Sequence, residues 1–355
     1  MKKFLFQGGL LLAALSLPVL VNAETVLSEG TDYKVEVYGS LRMQAESVHP
    51  DNTQAFSSYE GIRDAYSRLG IKGEYRFNPD TALFSQVEVP FDTANFRFVD
   101  PYDQGGAGRD DGAHFRVAQI GLRSRYGTLI YGQQWMPYYN AISVAVDRFS
   151  SYYSGFATYT AFRMGNTISY YSPSLSGLTL AGSYTSSAGN QRSTSRLDAR
   201  RVQATATYAF TPDTQVALGL DDRGNTGNGQ DRVYGVSASH QSGPWYFAAK
   251  YEVFDSDNHT AGSFSKDGNQ AFNGFVSYTW KDTTFKAMVA HLDNYGEWIL
   301  HLGVDHQLTK NLKLFAEFYR EQETASITPR RGGLADFDSA ASGGKVFLVG
   351  ARFDF

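Results

Sequence analysis

Phe347-Leu348-Val349-Gly350-Ala351-Arg352-Phe353-Asp354-Phe355 closes the chain, and its residues repeat with a period of two. Phe347, Val349, Ala351, Phe353 and Phe355 alternate with Leu348, Gly350, Arg352 and Asp354. An extended strand sends successive side chains to opposite faces, so the segment has one apolar and one mixed face. The pattern recurs upstream. Leu312, Leu314, Ala316 and Phe318 alternate with Lys313, Phe315, Glu317 and Tyr319. Trp298, Leu300, Leu302 and Val304 do so against Ile299, His301, Gly303 and Asp305, and Trp245, Phe247, Ala249, Tyr251 and Val253 against Tyr246, Ala248, Lys250 and Glu252.

Period alone also suits a soluble β-sandwich. Length separates the two: these segments run about ten residues or more, as a tilted strand needs to cross a bilayer, against about five or six in soluble sheets. Connection lengths separate them again. Asn78-Pro79-Asp80, Arg125-Tyr126-Gly127, Pro173 to Gly177, Thr211-Pro212-Asp213, Ser242-Gly243, Lys281-Asp282 and Thr309-Lys310-Asn311 carry the chemistry of tight turns. Between them lie long polar stretches, at residues 48–63, 93–113, 134–161, 187–200, 222–231, 255–269, 292–297 and 322–343. Seven short turns and eight long loops separate sixteen segments. This predicts an all-β fold: one sixteen-stranded antiparallel transmembrane β-barrel, with its turns at one rim and its long loops at the other.

Composition agrees. Aromatic residues make up 15% of the chain, yet mean hydropathy is negative. A wall with one face in lipid and the other in water accounts for both. Lys2 and Lys3, the apolar run Gly8 to Val21 and the small-residue site Val21-Asn22-Ala23 read as a secretory signal peptide cleaved after Ala23. The barrel domain is then residues 24–355, and loss of the two lysines takes the formal charge from −4 to −6. That modest acidity argues against nucleic-acid binding. The chain has no cysteine, so an exported protein must be stable without disulfides.

Val37-Tyr38-Gly39-Ser40-Leu41-Arg42 and Ser67-Arg68-Leu69-Gly70-Ile71-Lys72-Gly73-Glu74 resemble segments of the general, non-specific porins of Gram-negative bacteria. Gln86-Val87-Glu88, Ala118 to Leu122, Leu129 to Gln133 and the terminal Phe355 continue the resemblance in order over nearly all of the mature chain. It implies an outer-membrane channel for passive diffusion of small hydrophilic solutes and ions. It also implies a homotrimer in contact with outer-membrane lipid and lipopolysaccharide, and a third loop folded into each lumen. Phe355 would be the terminal aromatic read by the assembly machinery.

The resemblance also implies a column of basic residues on the inner wall facing acids on the third loop. Arg68, Arg116 and Arg163 occupy such positions, with His114 two residues before Arg116. Ser40 stands where a wall lysine is usual. Arg42, on the same face, is either its replacement or an ordinary lumen residue. In the third loop Asp147 is the only acid between Gln134 and Ala161. The aromatic run there, Trp135 to Tyr139, lines or braces the loop, and Arg148 reads as a salt-bridge partner holding it. Guanidinium groups opposed across a narrow gap set up a transverse field. Several arginines against one acid predict a weak anion preference, which the overall charge opposes.

The remaining features are bland. Gly224, Gly227 and Gly229 lack the strand-to-helix setting of a phosphate cradle. Asp255-Ser256-Asp257-Asn258 lacks the glycine and late glutamate of a calcium loop. The seven histidines show no ligand spacing, so neither metal nor cofactor is expected. Trp245, Tyr278, Trp280 and Trp298 read as outward girdle residues, and Gln119 and Arg123 as outward positions in contact with protein. Two rival functions remain: a substrate-specific sugar or anion channel, disfavoured by the scatter of Tyr38, Tyr246, Phe315 and Tyr319, and an outer-membrane enzyme, for which no nucleophile-and-base motif is present.

Overall fold

The computed structural model describes residues 24–54, 56–99, 115–155, 157–186, 200–225, 229–323, 325–327 and 343–355. The predicted signal peptide and His114 lie outside the described residues. The strands are β1 (Thr25–Glu29), β2 (Tyr33–Pro50), β3 (Tyr59–Asp64), β4 (Arg68–Asn78), β5 (Thr81–Pro90) and β6 (Val117–Ser124). They continue with β7 (Gly127–Trp135), β8 (Arg163–Tyr171), β9 (Leu178–Thr185), β10 (Arg201–Thr211), β11 (Thr214–Asn225) and β12 (Gln230–Ser242). The last six are β13 (Trp245–Ser256), β14 (Gln270–Trp280), β15 (Thr283–Leu292), β16 (Glu297–Gln307), β17 (Leu312–Glu321) and β18 (Gly344–Asp354).

These make a closed barrel of 16 antiparallel staves. β3 and β4 form one stave, because both pair with β2 along the same edge, Met43 opposite Asp64 and Ser40 opposite Arg68. Between those pairs the β3–β4 side holds one residue more than β2, a bulge at Ala65–Ser67 with Tyr66 at φ 68°. Closure comes from β18 on β2, running from Gly344 opposite Pro50 to Asp354 opposite Ser40. Phe355 extends that pairing through both backbone bonds to Gly39, and β1 takes over the same edge of β2 with Thr25 opposite Val37. A Cβ on Gly39 would lie 2.3 Å from the Phe355 ring, so the glycine makes room for the last residue.

The predicted turns fall between the observed strands. Two long loops are shorter than expected, because β2 runs on to Pro50 with β3 starting at Tyr59, and β11 and β12 reach Asn225 and Gln230. Polar sequence does not end a strand whose backbone partners continue above the bilayer. Trp245, Trp280 and Trp298 are exposed on the outer wall, as a girdle requires. Gln119 and Arg123 correct the reading: they face the lumen, Gln119 donating to Gln86 and Arg123 pairing with Glu74.

The apolar core lies inside the barrel. The third loop, from Trp135 to Arg163, crosses the lumen and carries a helical turn at Tyr139–Ser143. Tyr138 and Ile142 settle over Gly219 and Gly235, where a Cβ would come within 2.9 Å and 2.2 Å of the Tyr138 side chain. Further along, Phe149 stacks on His301 at 3.5 Å, Tyr153 on Tyr319 at 5.0 Å and Tyr152 on Tyr66 at 5.7 Å. Full burial of an aromatic or aliphatic side chain contributes about 1.5–3 kcal/mol, so several anchors hold the loop firmly. The aromatic residues brace it, one of the two roles expected of the run.

Gly235→Val should displace Tyr138 and cost about 1–3 kcal/mol of stability by overpacking. Gly274→Ala, where the nearest side-chain atom is 3.8 Å away, should be tolerated. Thermal unfolding of the two variants in detergent checks the contrast.

Candidate pore constriction

The inward faces of β2, β4 and β18 and the start of β6 bring four guanidinium groups together. Arg42 and Arg352 are cross-strand partners on β2 and β18, and Arg68 opens β4 opposite Ser40. Arg116 arrives by a different route. Val117, Gln119 and Arg123 face the lumen, so strict alternation would turn Arg116 toward lipid. Instead the Arg116 N–H donates to the Glu88 carbonyl while Val117 is the ladder partner of Glu88. Two residues thus oppose one, and this local bulge re-aims the Arg116 side chain inward.

Their principal counter-charge sits on the wall. Glu88 of β5 accepts from Arg116 Nε at 2.8 Å, lies 3.5 Å from Arg68 Nε and accepts from the Tyr38 hydroxyl at 3.0 Å. Gln86 in turn donates to the Tyr38 oxygen at 2.6 Å. Glu88 was visible in the sequence only as the end of a family-like run. Its inward phase was legible, but not the register that sets it opposite Gly70, two residues along the same face from Arg68. Removing the partner of buried charges costs about 3–5 kcal/mol, so Glu88 stabilises the wall as well as moderating its charge.

Ser40 acts as a relay. Its hydroxyl accepts from Arg42 Nε at 2.7 Å and donates to Asp354 at 2.6 Å, and Asp354 also holds Arg352 Nε at 2.8 Å. Arg42 itself forms no ion pair among the described residues, and its Nη2 is buried without a hydrogen bond. Arg163 opens β8 opposite Trp135 and lies 4.9 Å over its ring. Trp135 stacks on Tyr139, which feels the charges of both Arg163 and Arg116. The face that the third loop turns to the arginines is therefore aromatic.

Asp147 stands behind that face. It is half-buried and accepts a 2.6 Å hydrogen bond from the Tyr139 hydroxyl. Burial pushes its carboxyl above the ordinary range, a rise that the Tyr139 bond offsets in part. Asp147 is thus one hydroxyl removed from the basic column. Arg148 corrects the expectation of a salt bridge: it lies 4.1 Å over the Tyr246 ring and donates weakly to the Ala145 carbonyl, with no carboxylate partner among the described residues.

A second charged group pins the far half of the loop. Lys286 and Lys313 each hold Asp305 at 2.8 Å, His301 meets Glu317 at 2.8 Å, and Glu317 accepts from the Ser150 N–H at 2.7 Å. These residues were legible only as inward polar positions of β15 to β17. On the short-turn side of the loop a cavity of about 670 Å³ opens, lined among others by Lys72, Glu74, Arg123, Trp135 and Tyr171.

A sequence model of the Gram-negative porins matches residues 10–326. The chain belongs to the Gram-negative porin family. It is an outer-membrane channel for passive diffusion. Among solved structures, OmpF of Salmonella typhi in complex with daunomycin superposes with a TM-score of 0.68 at 18% identity, covering 91% of this chain and 98% of that one. An anion-selective porin from Comamonas acidovorans gives 0.68 at 16% identity, with 91% and 100% covered. The trimer form of OmpT from Vibrio cholerae gives 0.60 at 14% identity, with 91% and 100% covered. At these identities the likeness is one of fold. No curated protein sequence matches the chain.

For Asp147 the pH dependence has a definite sign. An acid whose native pKa is raised opposes folding once it ionises, above its unfolded pKa of about 4. Asp147→Asn should therefore unfold at or above the wild-type temperature at pH 7. The difference should shrink as pH falls through the raised native pKa and vanish below about pH 4, where the carboxyl is protonated in the folded and the unfolded chain alike. Melting curves across that range check it.

Proposed function

We propose that this porin passes small hydrophilic solutes and ions with a weak preference for anions. The observation that carries the reading is the wall group: Arg68 and Arg116 share Glu88, Arg352 pairs with Asp354, and Arg42 beside them is held by Ser40 without a carboxylate of its own. Arg163 adds a further positive charge beside them, and the third loop contributes Tyr139 in place of an exposed acid. In a gap walled by low-dielectric protein, uncompensated guanidinium charge is poorly screened and attracts anions. The Comamonas relative, described as anion-selective, has the same fold. Asp147 acts in this reading as a brace for Tyr139. Arg148 plays a secondary role at the lumen.

The functional unit in the proposal is a homotrimer in the lipid and lipopolysaccharide of the outer membrane. OmpT of Vibrio cholerae, a structural neighbour, has a trimer form. The leader Met1 to Ala23 directs export and is removed, and Phe355, stacked on Phe353 beside Gly39, is presented to the assembly machinery.

Reversal potentials across a planar bilayer under a potassium chloride gradient test the charge reading. The wild type should carry more chloride than potassium. Arg42→Ala removes a charge that no carboxylate holds directly, so it should move the permeability ratio toward unity with the fold intact. A cation-selective wild type, or an unchanged ratio in Arg42→Ala, would contradict the reading.

A further inference from the structure

The connection between β15 and β16 places a histidine and two carboxylates at the long-loop rim, with His291 on the outer face beside Trp298. One ring nitrogen of His291 and one oxygen from each of Asp293 and Glu297 all lie within 4.8 Å of one another. His291 and Trp298 are cross-strand partners at the strand ends, and their rings lie 4.8 Å apart. That contact fixes the imidazole on the outer face.

The loop backbone holds the carboxylates in place. Asp293 accepts from the Gln270 N–H at 2.9 Å, and Glu297 accepts from the Asn294 N–H at 2.9 Å. The Asn294 amide is tied in turn to Asn269 at 2.9 Å. Each carboxylate keeps an oxygen turned to the histidine: Asp293 Oδ1 is 3.0 Å from Nε2, and Glu297 Oε2 is 3.8 Å from Nδ1. His291 Nδ1 is buried and makes no hydrogen bond. Neither Asp293 nor Glu297 pairs with a lysine or arginine among the described residues, and Glu323 lies close enough to feel the Glu297 charge. The group thus sets a carboxylate at each ring nitrogen, Asp293 bonded at Nε2 and Glu297 beside the unbonded Nδ1, so a single ion takes one nitrogen and the other carboxylate swings round to it.

We propose that His291, Asp293 and Glu297 bind a divalent transition-metal ion of the zinc type. Zinc bonds imidazole nitrogen and carboxylate oxygen at about 2.0–2.2 Å in a tetrahedral shell, so donor atoms on one ion lie about 3.4 Å apart. Separations of up to 4.8 Å among the three donors need to close by about 1.4 Å to reach that geometry. The imidazole selects borderline metals over calcium and magnesium, which favour all-oxygen sites. Sequence reading missed the group because the donors sit at positions i, i+2 and i+6 across a hairpin, a spacing shared with no standard metal motif.

The test is calorimetric titration of zinc chloride into untagged, chelator-stripped protein in detergent. One zinc per protomer is expected, with His291→Ala and Glu297→Gln each weakening binding about tenfold or more and equimolar calcium failing to compete. X-ray absorption of the wild type loaded with one equivalent of zinc should show an imidazole nitrogen among oxygen ligands. This second readout does not depend on any variant folding. Absence of saturable binding, unchanged affinity in His291→Ala, displacement by equimolar calcium or an all-oxygen shell would each overturn the proposal.

Discussion

Within the hydrocarbon of a bilayer no water can pair a backbone N–H or C=O, so every strand must find partners on both sides. The pairing of β18 with β2, carried on by Phe355 and then β1 along the same edge, meets that demand for the whole sheet. Once the sheet is closed its outer face meets lipid, and the apolar packing that a soluble protein would place between layers has to move to the lumen. The third loop supplies it. Tyr138, Ile142, Phe149, Tyr152 and Tyr153 pack against the inner wall over notches such as Gly219 and Gly235. The loop is therefore part of the folded core, and the space left beside it is the channel.

Electrostatics follows from the same arrangement. The lumen wall carries charges placed by strand phase, or by a bulge in the case of Arg116, and most are matched locally: Arg116 and Arg68 by Glu88, Arg352 by Asp354, Lys286 and Lys313 by Asp305. Arg42 is held through Ser40 alone, and its outer nitrogen is unbonded. A serine in place of a wall lysine thus links Arg42 to Asp354 without cancelling its charge. The loop opposite contributes the stacked Trp135 and Tyr139, and the one loop acid is capped by the Tyr139 hydroxyl.

The barrel was legible because its defining signal is local and repeated. The period of two in Phe347–Phe355 and Trp245–Val253 reports two different solvents, and the short turns mark one rim. What failed to read through was phase. Alternation carries a face assignment along a strand only until a bulge, and the extra residue opposite Glu88 reverses it. Arg116 therefore points inward although Val117 does so as well, and Gln119 and Arg123 line the lumen where the sequence suggested the outer surface. Arg148 and Asp147 depend on how a long loop folds back on itself, which no spacing encodes. Glu88 was in view but was weighed as part of a motif, since nothing in a single sequence says which inward acid lies level with an inward arginine. Of the candidate residues, Arg42 and Arg68 were brought together as their phase implied, Arg116 joins them through the bulge, and Arg352 comes from β18 opposite Arg42.

The central claim is that the Arg68–Arg116 wall, facing the third loop, bounds the narrowest part of the conducting path. Because the protein has no cysteine, a single Arg68→Cys variant offers one modifiable site. Single-channel current recorded before and after a negatively charged methanethiosulfonate reagent is the most direct measurement. The account predicts a stepwise fall in conductance and a loss of chloride preference on modification, with no change for Leu129→Cys on the outer wall. An unaltered current after complete modification of Arg68→Cys would place the constriction elsewhere.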